Sequence, residues 1–375
     1  MKKVMFMIES MVVGGAEKAL IDLVNNLDPK KYDVTVIYIF KHSVYPNYSY
    51  KFKQLFNENI NIKYLIDNSN KIKYRCFNFL YNKLPKAWFY KVFIREKYDI
   101  EVAFYEGFPT TFLSYSNNKN SKKVAWLHTD SNNAFAGMIN EQLYNIKNIY
   151  DKYDLIVGVS KAVCKSFYEL FGMKDKLRLQ YNVIDTQNIR KQSNEYIDMD
   201  IKEDRIKLIS VGRLNKVKGY DRLLKVCKKL KENKFTFELW IVGEGEERNN
   251  LQEYIEKNDL KEYVKLLGFQ DNPYKYISKS DIFVCSSRVE GYSLVLAEAI
   301  ILQKPIVAAK SEAFNEIFGN SECGLITENS EAGLYNGISK LMQDRELLEK
   351  YRQESIKRSE YFNMNKIIEN IENVL

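Results

Sequence analysis

Short apolar runs alternate with helix-patterned segments along almost the whole chain, and that alternation is the strongest constraint on its fold. Strand–helix–strand repetition gives a parallel sheet covered by helices on both faces. In the first half, residues 3–8, 34–40, 62–66, 100–105, 123–127 and 155–159 read as strands. The pattern restarts at 206–212 and continues at 237–242, 264–267, 282–285 and 305–308. No solenoid-period repeat and no low-complexity segment interrupts it. The predicted class is α/β. A chain of 375 residues is expected to form two domains of ordinary size. The polar stretch 182–204 is the candidate linker. We place an N-terminal domain at 1–187, a C-terminal domain at 188–359 and a last helix within 360–375.

Composition excludes several classes. At 45% hydrophobic residues the chain can build real cores. Cys76, Cys164, Cys227, Cys285 and Cys323 lack paired spacing, so they read as buried thiols rather than a disulfide frame or zinc site. The apolar run after Lys2 and Lys3 is too short for a signal peptide and reads as the first strand. No stretch approaches the roughly 18 apolar residues of a membrane-spanning helix, so none is expected.

The most informative local feature is a single carboxylate inside an apolar helix. From Leu294 to Leu302 every residue but Glu298 is apolar, which marks a buried helix. A buried carboxylate is costly unless it is hydrogen-bonded. Ser293 is placed to cap the helix start, and Gly291 permits close backbone approach. Glu290 follows the strand at 282–285, at the carboxyl end where open α/β sheets bind ligands. Helix-start amides favour an anion such as phosphate, and carboxylates favour hydroxyls, so a nucleotide-sugar meets both demands. A buried glutamate satisfied by neighbouring backbone is the bland alternative.

Other strand ends carry chemistry too. Arg213 and Lys218 follow the strand at 206–212; Arg213 directly follows strand and Gly212, whereas Lys216 reads as plain solvated surface. Gly14-Gly15 follows the first strand, where backbone N–H groups can face a phosphate or simply make a tight turn. It is not the Gly-x-Gly-x-x-Gly dinucleotide fingerprint, which counts against a nicotinamide-dependent dehydrogenase. Gly243-Glu244-Gly245 is either nucleotide lining or an ordinary turn. His128 and Asp130 end one strand, and Glu106 ends the strand before it, facing an acceptor or making a turn.

The Glu-x7-Glu spacing of Glu290 and Glu298, opened by Glu-Gly, resembles the retaining glycosyltransferases of family 4, and the resemblance covers nearly the whole chain. It implies two facing Rossmann-like domains of the GT-B type with an interdomain cleft. It further implies that Glu290 contacts the donor sugar and Glu298 the ribose hydroxyls. Gly291, Tyr292 and Ser293 belong to the same donor site, with Tyr292 where the family often has Phe. Arg213 and Lys218 match the family's Arg and Lys five apart, which stabilise the charge on a departing diphosphate. The resemblance gives Gly14 and Gly15 the donor phosphate and His128 a place near the reacting sugar. Gly243 remains a donor-side candidate, and Glu106 and Asp130 are acceptor-side candidates. Tyr181-Asn182-Val183-Ile184-Asp185 keeps the Asn and Asp of the family's Pro-Asn-Gly-x-Asp but lacks its Pro and Gly. The last helix is expected to cross back to the first domain. Asp198-Met199-Asp200 spells a metal-binding Asp-x-Asp, but it lies in the polar linker; no metal and no cofactor is expected.

Between residues 71 and 97, eight cations stand against Glu96 alone, carrying nearly all of the formal net charge of +8. Aromatics including Phe79, Trp88 and Phe89 are interleaved. The mixture suits an interfacial helix on an anionic leaflet; an amphipathic helix with its aromatics in the core is the alternative. Nucleic acid is not expected, since no recognised nucleic-acid fold accompanies the charge. The expected function is a cytoplasmic glycosyltransferase, peripheral at the inner face of the membrane. It would use a nucleotide-diphosphate-sugar and a lipid-linked glycan acceptor in capsule, O-antigen or other surface polysaccharide synthesis. The alternatives are a nucleotide-sugar epimerase of the same fold and a basic binding module without catalysis.

Overall fold

The computed structural model describes residues 1–10, 14–42 and 55–375. They form two units: Met1–Val183 with Asn365–Leu375, and Ile184–Met364.

The first unit holds a parallel sheet of β1 (Lys2–Ser10), β2 (Tyr32–Phe40), β3 (Asn61–Ile66), β4 (Ile100–Ala103), β5 (Lys122–Leu127), β6 (Leu155–Gly158) and β7 (Leu177–Leu179). Their spatial order is β3-β2-β1-β4-β5-β6-β7. Strand order therefore reverses between β1 and β4, which opens a crevice at their carboxyl ends. Val4, Met5, Phe6 and Met7 of β1 have no exposed surface, as a strand covered on both faces requires. The segment Asn365–Leu375 is tied to this unit, with Ile371 and Leu375 buried. Lys31 pairs with Glu372 at 2.6 Å, and the Lys122 ammonium donates to the Val374 carbonyl at 2.6 Å.

The second unit repeats the plan with β8 (Ile206–Val211), β9 (Phe237–Val242), β10 (Val264–Gly268), β11 (Ile282–Cys285), β12 (Ile306–Ala309) and β13 (Gly324–Thr327). All its pairs are parallel, in the order β10-β9-β8-β11-β12-β13, so the reversal falls between β8 and β11. All six residues of β9 are buried.

Every strand read from the sequence is present, and β7 and β13 are additions. Both are edge strands of three and four residues with half-exposed side chains. Such strands carry too few apolar residues to announce themselves. The candidate linker is a correction. Its first part is the helix Thr186–Ser193, capped by the Asp185 carboxylate on the Asn188 amide at 2.9 Å. Ile189 is fully buried. Asn272 and Ser278 donate to the Gln192 and Ser193 carbonyls, which makes this helix part of the second unit. Its single apolar anchor left no periodicity to detect.

Candidate active site

The switch point of the second unit sets β8 beside β11, so the loops after both strands meet. The loop after β8 makes a 3-10 turn, Lys216–Lys218, closed by the Asn215 side chain accepting from the Lys218 amide at 3.1 Å. Gly219 then takes a left-handed φ of 67°, and a Cβ there would lie 2.2 Å from the Ser286 carbonyl oxygen. Only glycine lets the two loops approach so closely. The loops are laced further by the Arg288 amide on the Val217 carbonyl at 2.7 Å and the Ser286 hydroxyl on the Lys218 carbonyl at 2.8 Å.

This lacing brings Lys218 to Glu290, residues 72 apart in sequence, with Nζ 2.7 Å from Oε1. The Ser287 hydroxyl donates to the same oxygen at 2.6 Å. The Glu290 side chain is 10% exposed and that of Lys218 23%, so the pair is sheltered but reachable. Burial pulls the Lys218 ammonium down; the Glu290 carboxylate, helped by smaller attractions, outweighs it and holds Lys218 above its ordinary value. Arg213 acts on Lys218 as a second nearby cation, so two positive groups share this strand end. Burial pushes the neighbouring Cys285 thiol up to about 11, which keeps it protonated and unreactive at neutral pH.

The helix Leu294–Ile301 is buried as its composition predicts, and Glu298 is 2% exposed within it. The Tyr274 hydroxyl donates to Glu298 Oε1 at 3.0 Å. Tyr274 opens the helix Tyr274–Lys279, and nothing in the sequence links it to Glu298. Ser293 is a correction. It stands at the N-cap position, but its hydroxyl caps no helix amide. That hydroxyl is buried and meets no hydrogen-bond partner among the described residues, a cost of about 1–3 kcal/mol if nothing else satisfies it. Gly291 and Tyr292 lie half-buried between Glu290 and this helix, and the Leu294 amide turns back to the Tyr292 carbonyl at 3.0 Å. Gly243 has a packing explanation: with φ 142°, a Cβ there would fall 2.0 Å from the Gly212 carbonyl oxygen. Asp198 and Asp200 are both exposed.

In the first unit the residues gather around the ends of β1, β4 and β5. Gly14 is the extended N-cap of the helix Gly15–Asn26, and its carbonyl accepts from the Lys18 amide at 3.1 Å; Met11–Val13 of the same motif lie outside the described residues. Glu106 follows β4, and its Oε1 accepts from the backbone amides of His128 and Thr129 at 2.7 and 2.6 Å. It therefore holds the turn that carries His128. Burial pushes its carboxyl up to about 7, against the pull of the amides of Thr129, Glu106 and His128. Its Oε2 meets no partner among the described residues.

Burial pushes the His128 imidazole down to about 3, and a hydrogen bond to the Phe104 backbone opposes this only in part, so the ring is neutral at pH 7. Nε2 is the nitrogen without a partner among the described residues. The proton therefore sits on Nδ1, facing the Phe104 carbonyl, and Nε2 is a bare acceptor. The Phe104 ring lies 4.7 Å away and the Tyr105 ring stacks at 6.1 Å, fixing the imidazole plane. Asp130, an acceptor-side candidate, is engaged as the N-cap of the helix Ser131–Ala134, accepting from the Asn133 amide at 3.2 Å and the Asn133 side chain at 3.1 Å.

The basic-aromatic segment folds as two helices, Lys71–Lys83 and Lys86–Phe93. Part of its aromatic content packs inward and part stays exposed. Phe77, Phe89 and Tyr90 are buried, with the Phe77 and Phe89 rings 5.1 Å apart. Ile72, Phe79 and Trp88 are 75%, 62% and 53% exposed, beside exposed cations including Lys83, Lys91 and Arg95. Lys86 departs from the pattern: its ammonium lies 3.8 Å over the Tyr81 ring, and burial lowers its pKa. Among the described residues, no helix is long and apolar enough to cross a membrane.

Two parallel α/β units, each with a strand-order reversal that opens a crevice at its strand ends, have the architecture of the GT-B class. Residues 13–188 match the family described as Glycosyltransferase Family 4, and residues 192–358 match Glycosyl transferases group 1. The chain belongs to this glycosyltransferase family. It is 34% identical over 239 residues to N-acetylgalactosamine-N,N'-diacetylbacillosaminyl-diphospho-undecaprenol 4-alpha-N-acetylgalactosaminyltransferase of Campylobacter jejuni, covering 63% of each chain and so less than two thirds of that relative. An uncharacterized glycosyltransferase of Haemophilus influenzae is 27% identical over 381 residues, the full length of both. Among solved structures, Anabaena HepE in complex with UDP and glucose aligns with a TM-score of 0.78 at 19% identity, over 100% of this chain and 99% of that one. Sucrose-phosphate synthase from Thermosynechococcus elongatus gives 0.80 at 16% identity, over 100% and 98%. These two similarities establish the fold.

Proposed function

We propose that the protein is a retaining glycosyltransferase that moves a sugar from a nucleotide-diphosphate-sugar to a lipid-linked glycan in surface polysaccharide synthesis. The observation that carries this reading is the sheltered Lys218–Glu290 pair, with Arg213 beside it, at the carboxyl ends of β8 and β11. The bond between the anomeric carbon and the diphosphate breaks, and an acceptor hydroxyl forms the new bond while its proton passes to the departing phosphate oxygen. Negative charge grows on the diphosphate as this happens. Fixed cations aimed there stabilise the transition state more than the ground state. Glu290 orients Lys218 and offers the sugar a hydrogen-bond acceptor. The buried Ser293 hydroxyl and the Glu298 carboxylate supply a donor and an acceptor for the rest of the nucleotide-sugar. In the first unit, His128 Nε2 accepts from a ligand hydroxyl and cannot serve as an acid at neutral pH.

In this reading the diphosphate charge is met by Arg213, Lys218 and backbone amides, without a metal. The lipid-linked acceptor is supported by the diphospho-undecaprenol in the name of the Campylobacter relative. Membrane association is supported by Ile72, Phe79 and Trp88, exposed among cations. A thermal-shift panel of UDP-glucose, UDP-N-acetylglucosamine, UDP-N-acetylgalactosamine and GDP-mannose tests the reading. A donor at 100 times its dissociation constant adds about 2.7 kcal/mol. If the function is correct, one of them raises the melting temperature, and an isolated product keeps the donor's anomeric configuration. Conversion of donor into a second intact nucleotide-sugar, without any acceptor, would instead indicate an epimerase.

A further inference from the structure

We propose that Arg222 is a positioning residue for the Lys218–Glu290 pair, acting through the turn that follows β11. This inference rests on the reading of that pair as the donor-handling site. Arg222 lies in the first turn of the helix Tyr220–Glu232 and is 6% exposed. Its Nε donates to the Ser286 carbonyl at 2.9 Å. Nη2 donates to the Ser286 and Ser287 carbonyls at 2.6 and 2.9 Å, and Nη1 to Asn329 Oδ1 at 2.5 Å. Asn329 is anchored in turn by donating to the Arg288 and Lys310 carbonyls at 3.0 and 3.1 Å.

A buried cation is costly unless its donors are met. These four bonds are all to neutral oxygens, three of them to the backbone of one turn. A planar guanidinium can span two successive carbonyls, whereas a lysine ammonium is a point donor. With both carbonyls turned toward Arg222, the orientation of the Ser286–Ser287 turn is set. That orientation places the Ser286 hydroxyl on the Lys218 carbonyl and the Ser287 hydroxyl on Glu290 Oε1. The linkage runs from Arg222 through the turn to Ser287, then to Glu290, then to Lys218. Arg222 touches neither Lys218 nor Glu290 in any of these bonds, so its influence is on their placement.

The test compares wild type, Arg222→Lys, Ser287→Ala, Asn329→Ala and the Arg222→Lys/Ser287→Ala double variant as full chains. The probe is whichever nucleotide-sugar of the panel above stabilises wild type most. Its hydrolysis by water is followed as nucleoside diphosphate release, and its binding by thermal shift. Misplacement of a reacting group by an ångström costs up to about a hundredfold. We expect about ten- to a hundredfold lower turnover in Arg222→Lys at temperatures where it is folded. Donor affinity should stay within about threefold of wild type, a split that mere loss of stability does not produce. Ser287→Ala should show a similar defect with an unchanged melting temperature, and the double variant should be no slower than Arg222→Lys. Should Arg222→Lys not fold, Asn329→Ala, which loosens the same guanidinium, is read in its place. Wild-type turnover in the folded variants, or defects that multiply in the double variant, overturns the proposal. Lys218→Ala separates the two levels. If it is inactive while Arg222→Lys is normal, only the positioning role fails; if it retains full turnover, the reading of the pair itself fails.

Discussion

Replacing Lys218 by Met, alone and together with Glu290→Gln, separates what the pair does for folding from what it does for chemistry. At 2.7 Å the gross attraction is about 6 kcal/mol at an effective dielectric constant near 20, most of it offset by the loss of hydration. A net coupling of about 1–3 kcal/mol remains. Lys218→Met leaves Glu290 only 10% exposed with the Ser287 hydroxyl as its remaining bond in this cluster, so stability should fall by about that amount. Glu290→Gln in the same chain removes the uncompensated charge, and most of the loss should return. Turnover behaves differently. Loss of one fixed cation facing a departing diphosphate costs about two to three orders of magnitude, and restoring stability does not restore the cation. Chemical denaturation of wild type, Lys218→Met, Glu290→Gln and the double variant gives the coupling, and single-turnover donor hydrolysis gives the chemistry. Near-wild-type turnover in Lys218→Met, or recovery of turnover in the double variant, refutes the reasoning.

Three further outcomes follow from the same geometry. The Glu106 carboxyl is raised from 4.5 to about 7, so its neutral form is favoured by the fold. That stabilisation is complete below pH 4.5 and is lost as pH rises through 7, a change of about 3 kcal/mol. Glu106→Gln keeps an oxygen for the His128 and Thr129 amides but does not titrate, so its stability should be flatter between pH 5 and 7; an unchanged pH profile would sink the assignment. Tyr274→Phe and Glu298→Gln should both weaken donor binding, with Glu298→Gln the larger effect and single-turnover rate at saturation nearly kept. Equal losses of rate and affinity, measured by titration and rapid quench, would argue against a ribose-side role. Exchanging Lys83, Lys91 and Arg95 for Gln should weaken binding to anionic vesicles by about 3 kcal/mol, roughly a hundredfold. Trp88→Ser should weaken it in a way that high salt does not mimic, and wild type that ignores anionic vesicles at low salt defeats the idea.

The sequence by itself determined the parallel α/β architecture, because each buried strand is a short apolar run that local composition makes visible. It also marked Arg213, Lys218, Glu290 and His128 as strand-end groups, since the residue after a buried strand must emerge at the sheet's edge. Tertiary structure alone decided who meets whom. Lys218 reaches Glu290 because strand order reverses at β8 and β11, and no local period encodes that adjacency. Arg222 and Tyr274 escaped notice for the same reason: each looks like an ordinary helix residue until the fold brings Ser286 to one and Glu298 to the other. Ser293 shows the converse, a cap by position whose hydroxyl does not cap, because the cap rule describes a local preference and the side chain is oriented by everything packed around it.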